Sequence, residues 1–294
     1  MPTRREFISA VATALAASRA ISAYAASNQG AIATPLNGPI GLQLWSLRDY
    51  LPKDLPGTLA KVTAMGFREV EGAGLWGRTA AGLRKALDTA GLRCQSAHMG
   101  YERLRDDLSG AFAEATSLGA TWVVCPWIPH DKGFSRDVTL AAADLFNRAG
   151  KSAHDAGLRF SYHCHGYEFI TSKEGTLFDT LIGETDPAQV AIQVDVFHAF
   201  HGGADPAALI AKLGPRVTSL HLKDLKKGVP VTAGAGVGTP DMDVPVGTGQ
   251  IDMPAVLAAA RKAGTALYYV EDESATPLAN IPKSLAWLQA FRYV

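Results

Sequence analysis

Eight short apolar runs recur along the chain, each followed by a stretch in which apolar residues return every three or four positions. The runs are IGLQLW (40–45), FREVE (67–71), LRCQSAH (92–98), TWVVCPW (121–127), LRFSYH (158–163), VAIQVD (190–195), VTSLHL (217–222) and ALYYVE (266–271). Such apolar character suits strands of a parallel sheet buried on both faces. The intervening period suits amphipathic helices, as in LRDDLSGAFAEATSL and TLAAADLFNRAGKSAHDA. The joints repeat as well: AMGFR, TAGLR, DAGLR and KAGTA each close a helical pattern on a glycine and then start a strand. Glycine there can take the left-handed conformation that ends a helix and turns the chain tightly. A strand–helix unit repeated eight times, with no long strand-free insert, predicts an α/β chain folded as one closed (β/α)8 TIM barrel over residues 38–294.

In such a barrel the βα loops meet over the axis, so chemistry belongs at the C-terminal strand ends. Strand two ends at Glu71, three at His98, four near Trp127, five at His163, six at Asp195, seven at His221 and eight at Glu271. Five of the chain's 8 histidines, His98, His163, His165, His198 and His221, fall within three residues of a strand end, beside three carboxylates. Each residue alone has a structural reading. A strand-end histidine can be a satisfied polar group, Asp195 can cap the next helix, and Glu271 opens EDES, which reads as a solvated loop. Four such readings coinciding on the adjoining strands five to eight point instead to a divalent metal. Two imidazole nitrogens with two carboxylate oxygens suit one Mn2+, Zn2+ or Co2+ ion and do not favour Ca2+. His130, His154 and His201 read as surface residues.

Composition narrows the partner. The chain of 294 residues carries 28 basic and 28 acidic side chains, which leaves no electrostatic footprint for nucleic acid or an anionic bilayer. Cys94, Cys125 and Cys164 are odd in number and share no short spacing, so they define neither a disulfide framework nor a zinc knuckle. Residues 1–26 read as an export signal: TRREFIS resembles a twin-arginine motif, AVATALAAS follows as an apolar core, and Ala23 and Ala25 offer an A-x-A cleavage pattern. Residues 27–37 then form a linker, and the mature protein is expected in the periplasm with no membrane association. No other segment reaches the ~18 consecutive apolar residues of a membrane span.

GLQLWSLRD, YHCHGYEF, VDVFHA, HLKD, VGTGQID and the closing VE together resemble the xylose-isomerase-like sugar isomerase/epimerase superfamily. YHCHGYEF is similar to the Y-H-N-H-x-x-E-F pattern of one branch, and the resemblance covers residues 38–292. It implies a metal held by His163, Asp195, His221 and Glu271, with Glu271 serving also as base. It further implies Glu168 as second acid/base and Glu71 as a third candidate, or as a group that only orients its neighbours. Position 163 departs from the ketose epimerases, which carry a glutamate there that acts as one of two bases. Gln43 and Trp45 offer an amide and an apolar face suited to a sugar ring. His98, His165, His198 and Lys223 are expected to contact substrate hydroxyls or support the ligands. GAGVGTPDMDVPVGTGQID should form a loop over the site, and its glycines lack the strand–GxGxxG–helix context of a phosphate cradle.

The expected activity is therefore metal-dependent isomerisation or epimerisation of a non-phosphorylated sugar, keto-sugar or cyclitol by removal of an α-proton, through a metal-stabilised enediolate. One alternative is a lyase or hydratase that β-eliminates the aglycone of a 3-keto glycoside. Another is a periplasmic sugar-binding barrel without catalysis. An endonuclease IV-like role needs a basic groove that zero net charge does not supply. The partner is a small carbohydrate, with assembly into a homo-oligomer possible.

Overall fold

The computed structural model describes residue 32 and residues 34–173 and 175–293. The export signal and most of the linker lie outside the described residues. All eight apolar runs form strands: β1 (Ile40–Gln43), β2 (Glu69–Gly72), β3 (Arg93–His98), β4 (Trp122–Cys125), β5 (Arg159–Cys164), β6 (Val190–Asp195), β7 (Val217–Leu222) and β8 (Leu267–Val270). They close into one parallel barrel in the order β1-β8-β7-β6-β5-β4-β3-β2. Two strands stop short of their apolar runs for local reasons. Pro126 has no amide hydrogen to extend β4, and Gln43 ends β1 because its side chain accepts from the Trp45 amide and turns the chain into a 3-10 turn, Leu44–Leu47. Among the described residues, no helix is long and apolar enough to cross a membrane.

Alternation along each strand decides what enters the barrel. Phe160, Tyr162 and Cys164 of β5 join the apolar layer beneath the helices, where the Tyr162 ring lies 4.8 Å from Phe146 of the helix Arg136–Asp155. Ser161 and His163 take the inner face. On β6 the outer set is Val190, Ile192 and Val194, which leaves Ala191, Gln193 and Asp195 inside. At the N-terminal end the interior is filled by Trp122, Leu267 and Tyr269 with Ala191 against them. A Cβ on Gly41 would stand 2.7 Å from the Tyr269 ring, so this position admits no side chain.

The loop after β7 is fastened at its base. Asp224–Leu225 pairs antiparallel with Asp243–Val244. The buried Asp224 carboxylate accepts from the amides of Gly247 and Gly249 at 2.9 Å each and of Ile251 at 3.3 Å. The Gln250 side chain donates to the carbonyls of Lys226 and Val229. The D of HLKD and the GTGQI of VGTGQID are thus two halves of one clamp.

Candidate metal centre

The C-terminal ends of β6 to β8 bring three predicted ligands into one group, and β5 sets the fourth, His163, beside it. Asp195, His221 and Glu271 form a buried group whose donor atoms lie within 4.8 Å of one another. His221 Nδ1 is 3.0 Å from Glu271 Oε2 and 3.8 Å from Asp195 Oδ2, and His163 Nε2 approaches Asp195 Oδ2 at 4.0 Å. Donors about 2.1 Å from one ion stand about 3.4 Å apart at the tetrahedral angle and about 4.2 Å apart across it, so these spacings fit a shared cation.

Asp195 makes the argument sharper. Its Oδ1 accepts from the His198 amide at 2.8 Å and caps the helix Val196–His201. Its Oδ2 is buried with no hydrogen-bond partner. The capping role is real and uses one oxygen; the other has Lys223 Nζ and His221 Nδ1 near it, at 3.8 Å each, and is free to take a cation.

The tautomers agree with this reading. Gln193 donates through Nε2 to Glu71 Oε1 at 2.8 Å, which turns its Oε1 toward His163 Nδ1 at 2.9 Å. Nδ1 of His163 therefore carries the hydrogen and Nε2 keeps the lone pair a metal needs. Burial, reinforced by the neighbouring imidazoles, pushes His163 well below its ordinary range, so the ring is neutral. For His221, burial opposes charge, but Glu271 and Glu71 outweigh it and lift the imidazole to about 10. The positive charge the carboxylates call for is met by that proton and by Lys223, and a divalent ion can take the proton's place.

Glu71 organises the floor beneath. Its Oε1 accepts from Ser96 Oγ at 2.5 Å and from Gln193, while its Oε2 accepts from Gln43 at 2.7 Å, His221 Nε2 at 2.6 Å and His98 Nε2 at 3.1 Å. Burial raises this carboxyl, but His98 and His221 more than cancel that and hold it well below the usual carboxylate range. With both oxygens occupied, Glu71 orients His221 and His98 and has no lone pair to spare as a base. The second histidine group, His98, His163 and His221, spends its facing nitrogens in this same network.

Glu168 is elsewhere than the resemblance implied. It is fully buried on the outer side of β5, where its carboxylate accepts from the Tyr162 hydroxyl and from the His165 amide at 2.9 and 3.1 Å. After β5 the chain enters the 3-10 turn Tyr167–Phe169, which holds Glu168 buried, and Gly166 before it packs so closely that a Cβ would stand 2.2 Å from the Ala235 carbonyl. Glu168 anchors the YHCHGYEF turn and contacts no cavity surface. His201, read from sequence as a surface residue, is buried against Phe197.

Above the ligands opens a cavity of about 670 Å3. His98, His163, His165, His198 and Glu271 reach it, and Trp45 stands at its mouth. Gln43 and Lys223 lie one layer deeper. Lys223 is buried, 3.3 Å from Glu271 and from Glu273, 3.8 Å from Asp195 and 3.4 Å from His198 Nε2. Burial opposes its charge, but Glu271, Glu273 and Asp195 hold its pKa well above normal. Sequence reasoning missed Gln193, although it sits two residues before Asp195 on one strand and so shares its face. It also missed Glu273 and Arg48, which lie in loops where no period fixes direction.

Comparison with known proteins places this geometry. The family described as Xylose isomerase-like TIM barrel matches residues 59–291. An inosose dehydratase of Geobacillus kaustophilus is 26% identical over 205 residues, 62% of this chain and 65% of that protein. Inosose dehydratase 1 of Bacillus cereus is 34% identical over 105 residues, 35% of this chain and 34% of that protein. The matches thus span less than two thirds of these curated relatives. A crystal structure of a sugar phosphate isomerase/epimerase from Parabacteroides distasonis aligns over 89% of this chain and 99% of its own, at 26% identity and a TM-score of 0.69.

Proposed function

Because the chain belongs to the xylose isomerase-like TIM barrel family, with inosose dehydratases among its relatives, we propose that it is a metal-dependent lyase. It removes the proton next to a ketone in a keto-cyclitol or keto-sugar and expels the oxygen substituent one carbon further on. One observation carries this choice over epimerisation. Among the described residues, the acidic side chains lining the cavity, Glu271 and Glu273, come from a single strand end. Inverting a carbon needs a proton acceptor on one face and a donor on the other. Here position 163 is a ligand imidazole, Glu71 is saturated and Glu168 faces outward, so a second carboxylate base is missing.

A divalent ion held by His163, Asp195, His221 and Glu271 would supply the Lewis acid for a substrate oxygen. The protein's own groups do the rest. Glu271 Oε2 is engaged by His221 and Lys223, which leaves Oε1 to accept the α-proton. The C–H electrons form the new double bond, the β C–O bond breaks, and the departing oxygen keeps that electron pair and takes a proton. No oxidant is consumed. Lys223 steadies the charge on Glu271, while His165 and His198 stay neutral because burial and Lys223 push them down, His165 to about 3, and they serve substrate hydroxyls as uncharged partners.

The test loads the purified protein with Mn2+, Zn2+ or Co2+ and supplies inosose or methyl 3-keto-glucoside in deuterated water. Release of water or methanol with an unsaturated ketone product is expected, and Glu271→Gln should slow it by about 10^2–10^4-fold. Epimer or aldose–ketose products without elimination would replace this reading with the isomerase one. Export through residues 1–26 belongs to the same proposal and is checked by fractionating cells that express the full chain.

A further inference from the structure

The cavity is built in two zones that differ in chemistry. Its floor carries the ligands and neutral imidazoles, whereas its mouth is walled by Trp45, Trp127, Val237 and Pro240. A volume of about 670 Å3 is that of pockets holding drug-sized molecules, more than one sugar ring requires. Trp45 is 44% exposed and Val237 56%, which leaves an aromatic face and an aliphatic side chain open on the same cavity.

Trp45 is held firmly. Its amide donates to Gln43, whose side chain is fixed on Glu71, so one turn sets both the floor amide and the mouth indole. The Arg48 guanidinium lies 5.3 Å over the Trp45 ring. Trp76 stands 6.4 Å away, with φ of 51° between two positive-φ glycines, Gly74 and Gly77. A bulky residue held in the left-handed region persists where its surroundings dictate it, which marks this rim as constructed.

Charge at the mouth disfavours one substrate class. Among the described lining residues Arg48 is the only lysine or arginine, and it is engaged by the Trp45 carbonyl and ring. A phosphate at the mouth would find that one guanidinium and no cluster of cations. A second sugar ring would stack on Trp45 but would bring hydroxyls against Val237 and Pro240, which offer them nothing.

We infer that the outer zone is a subsite for a flat, apolar leaving group, so that the substrate is a keto-glycoside with an aromatic aglycone. This rests on the lyase reading. The step is the elimination already described: the C2 proton leaves, C1=C2 forms, the C1–O bond breaks, and the aglycone departs as a phenol.

Binding of glycosides that lack the ketone, and so cannot react, isolates the subsite from the chemistry. Phenyl glucoside, methyl glucoside and a disaccharide are titrated calorimetrically into the metal-loaded full chain. The phenyl glycoside is expected to bind about tenfold more tightly than the methyl one, and Trp45→Ala to bring that ratio close to one. Val237→Asn, a conservative change in size at an exposed position, should lower the same ratio about threefold. Equal binding of phenyl and methyl glycosides, tighter binding of the disaccharide, a ratio untouched by Trp45→Ala, or no measurable binding would each overturn the inference. Phenyl preference without turnover of the 3-keto compounds would remove the lyase reading and leave the subsite. Turnover without phenyl preference would do the reverse.

Discussion

Glu71 and Glu168 are both fully buried carboxylates within a few residues of a strand end, and they have opposite fates. Inside the barrel, burial of Glu71 is overcome by His98 and His221, and the group is a firm anion. On the outer side of β5, burial of Glu168 is opposed only by neutral donors, Tyr162 and the His165 amide, and its pKa rises to about 7. Depth does not decide a buried acid's charge; the charge its partners can carry does. The inner region is therefore a matched set of anions and cations into which a metal fits, and the outer one is a hydrogen-bonded anchor.

The largest break in this contrast comes from His221→Ala. It removes a candidate ligand and also the cation shared by Glu71 and Glu271, so stoichiometric metal should be lost and stability should fall by about 3–5 kcal/mol, the usual cost of breaking a buried pair. Metal analysis and denaturant unfolding read both. Retention of full metal content would show that the ligand group is misassigned.

Glu168→Gln tests the outer region. A carboxyl at about 7 folded, against 4.5 for its ordinary value, keeps its proton in the native state while the unfolded chain loses it. Its stabilising share is complete below about 4.5 and disappears as pH rises through 7, up to about 3 kcal/mol. The glutamine variant should show a flatter stability profile between those limits, and parallel profiles for variant and wild type would contradict the assignment. The smallest effect belongs to Glu71→Gln, which keeps an acceptor for His221 but lowers the ring's basicity. Metal affinity should weaken about 10- to 100-fold with the fold intact, as read by competition with a chelator.

The barrel was legible because its signal is repeated eight times, and the positions of His163, Asp195, His221 and Glu271 at its rim followed from where the apolar runs stop. Gln193 was equally within reach, since the alternation that turns Asp195 inward turns its i−2 neighbour the same way. Glu168 was not. Five residues beyond His163 the chain has left the strand for the 3-10 turn Tyr167–Phe169, where alternation no longer fixes which way a side chain goes. Glu273 and Arg48 escaped for the same reason. The candidate ligands are written in periodic segments and the cavity's mouth in aperiodic ones.

The Asp224 clamp has an evolutionary reading. Because the backbone amides of Gly247, Gly249 and Ile251 and the short Asp224–Leu225/Asp243–Val244 ladder close the stem of that excursion, residues 230–241 hang from a finished hem. Descendants could exchange that fringe, Val237 and Pro240 included, and acquire new tastes in cargo while the candidate metal centre beneath inherits no disturbance.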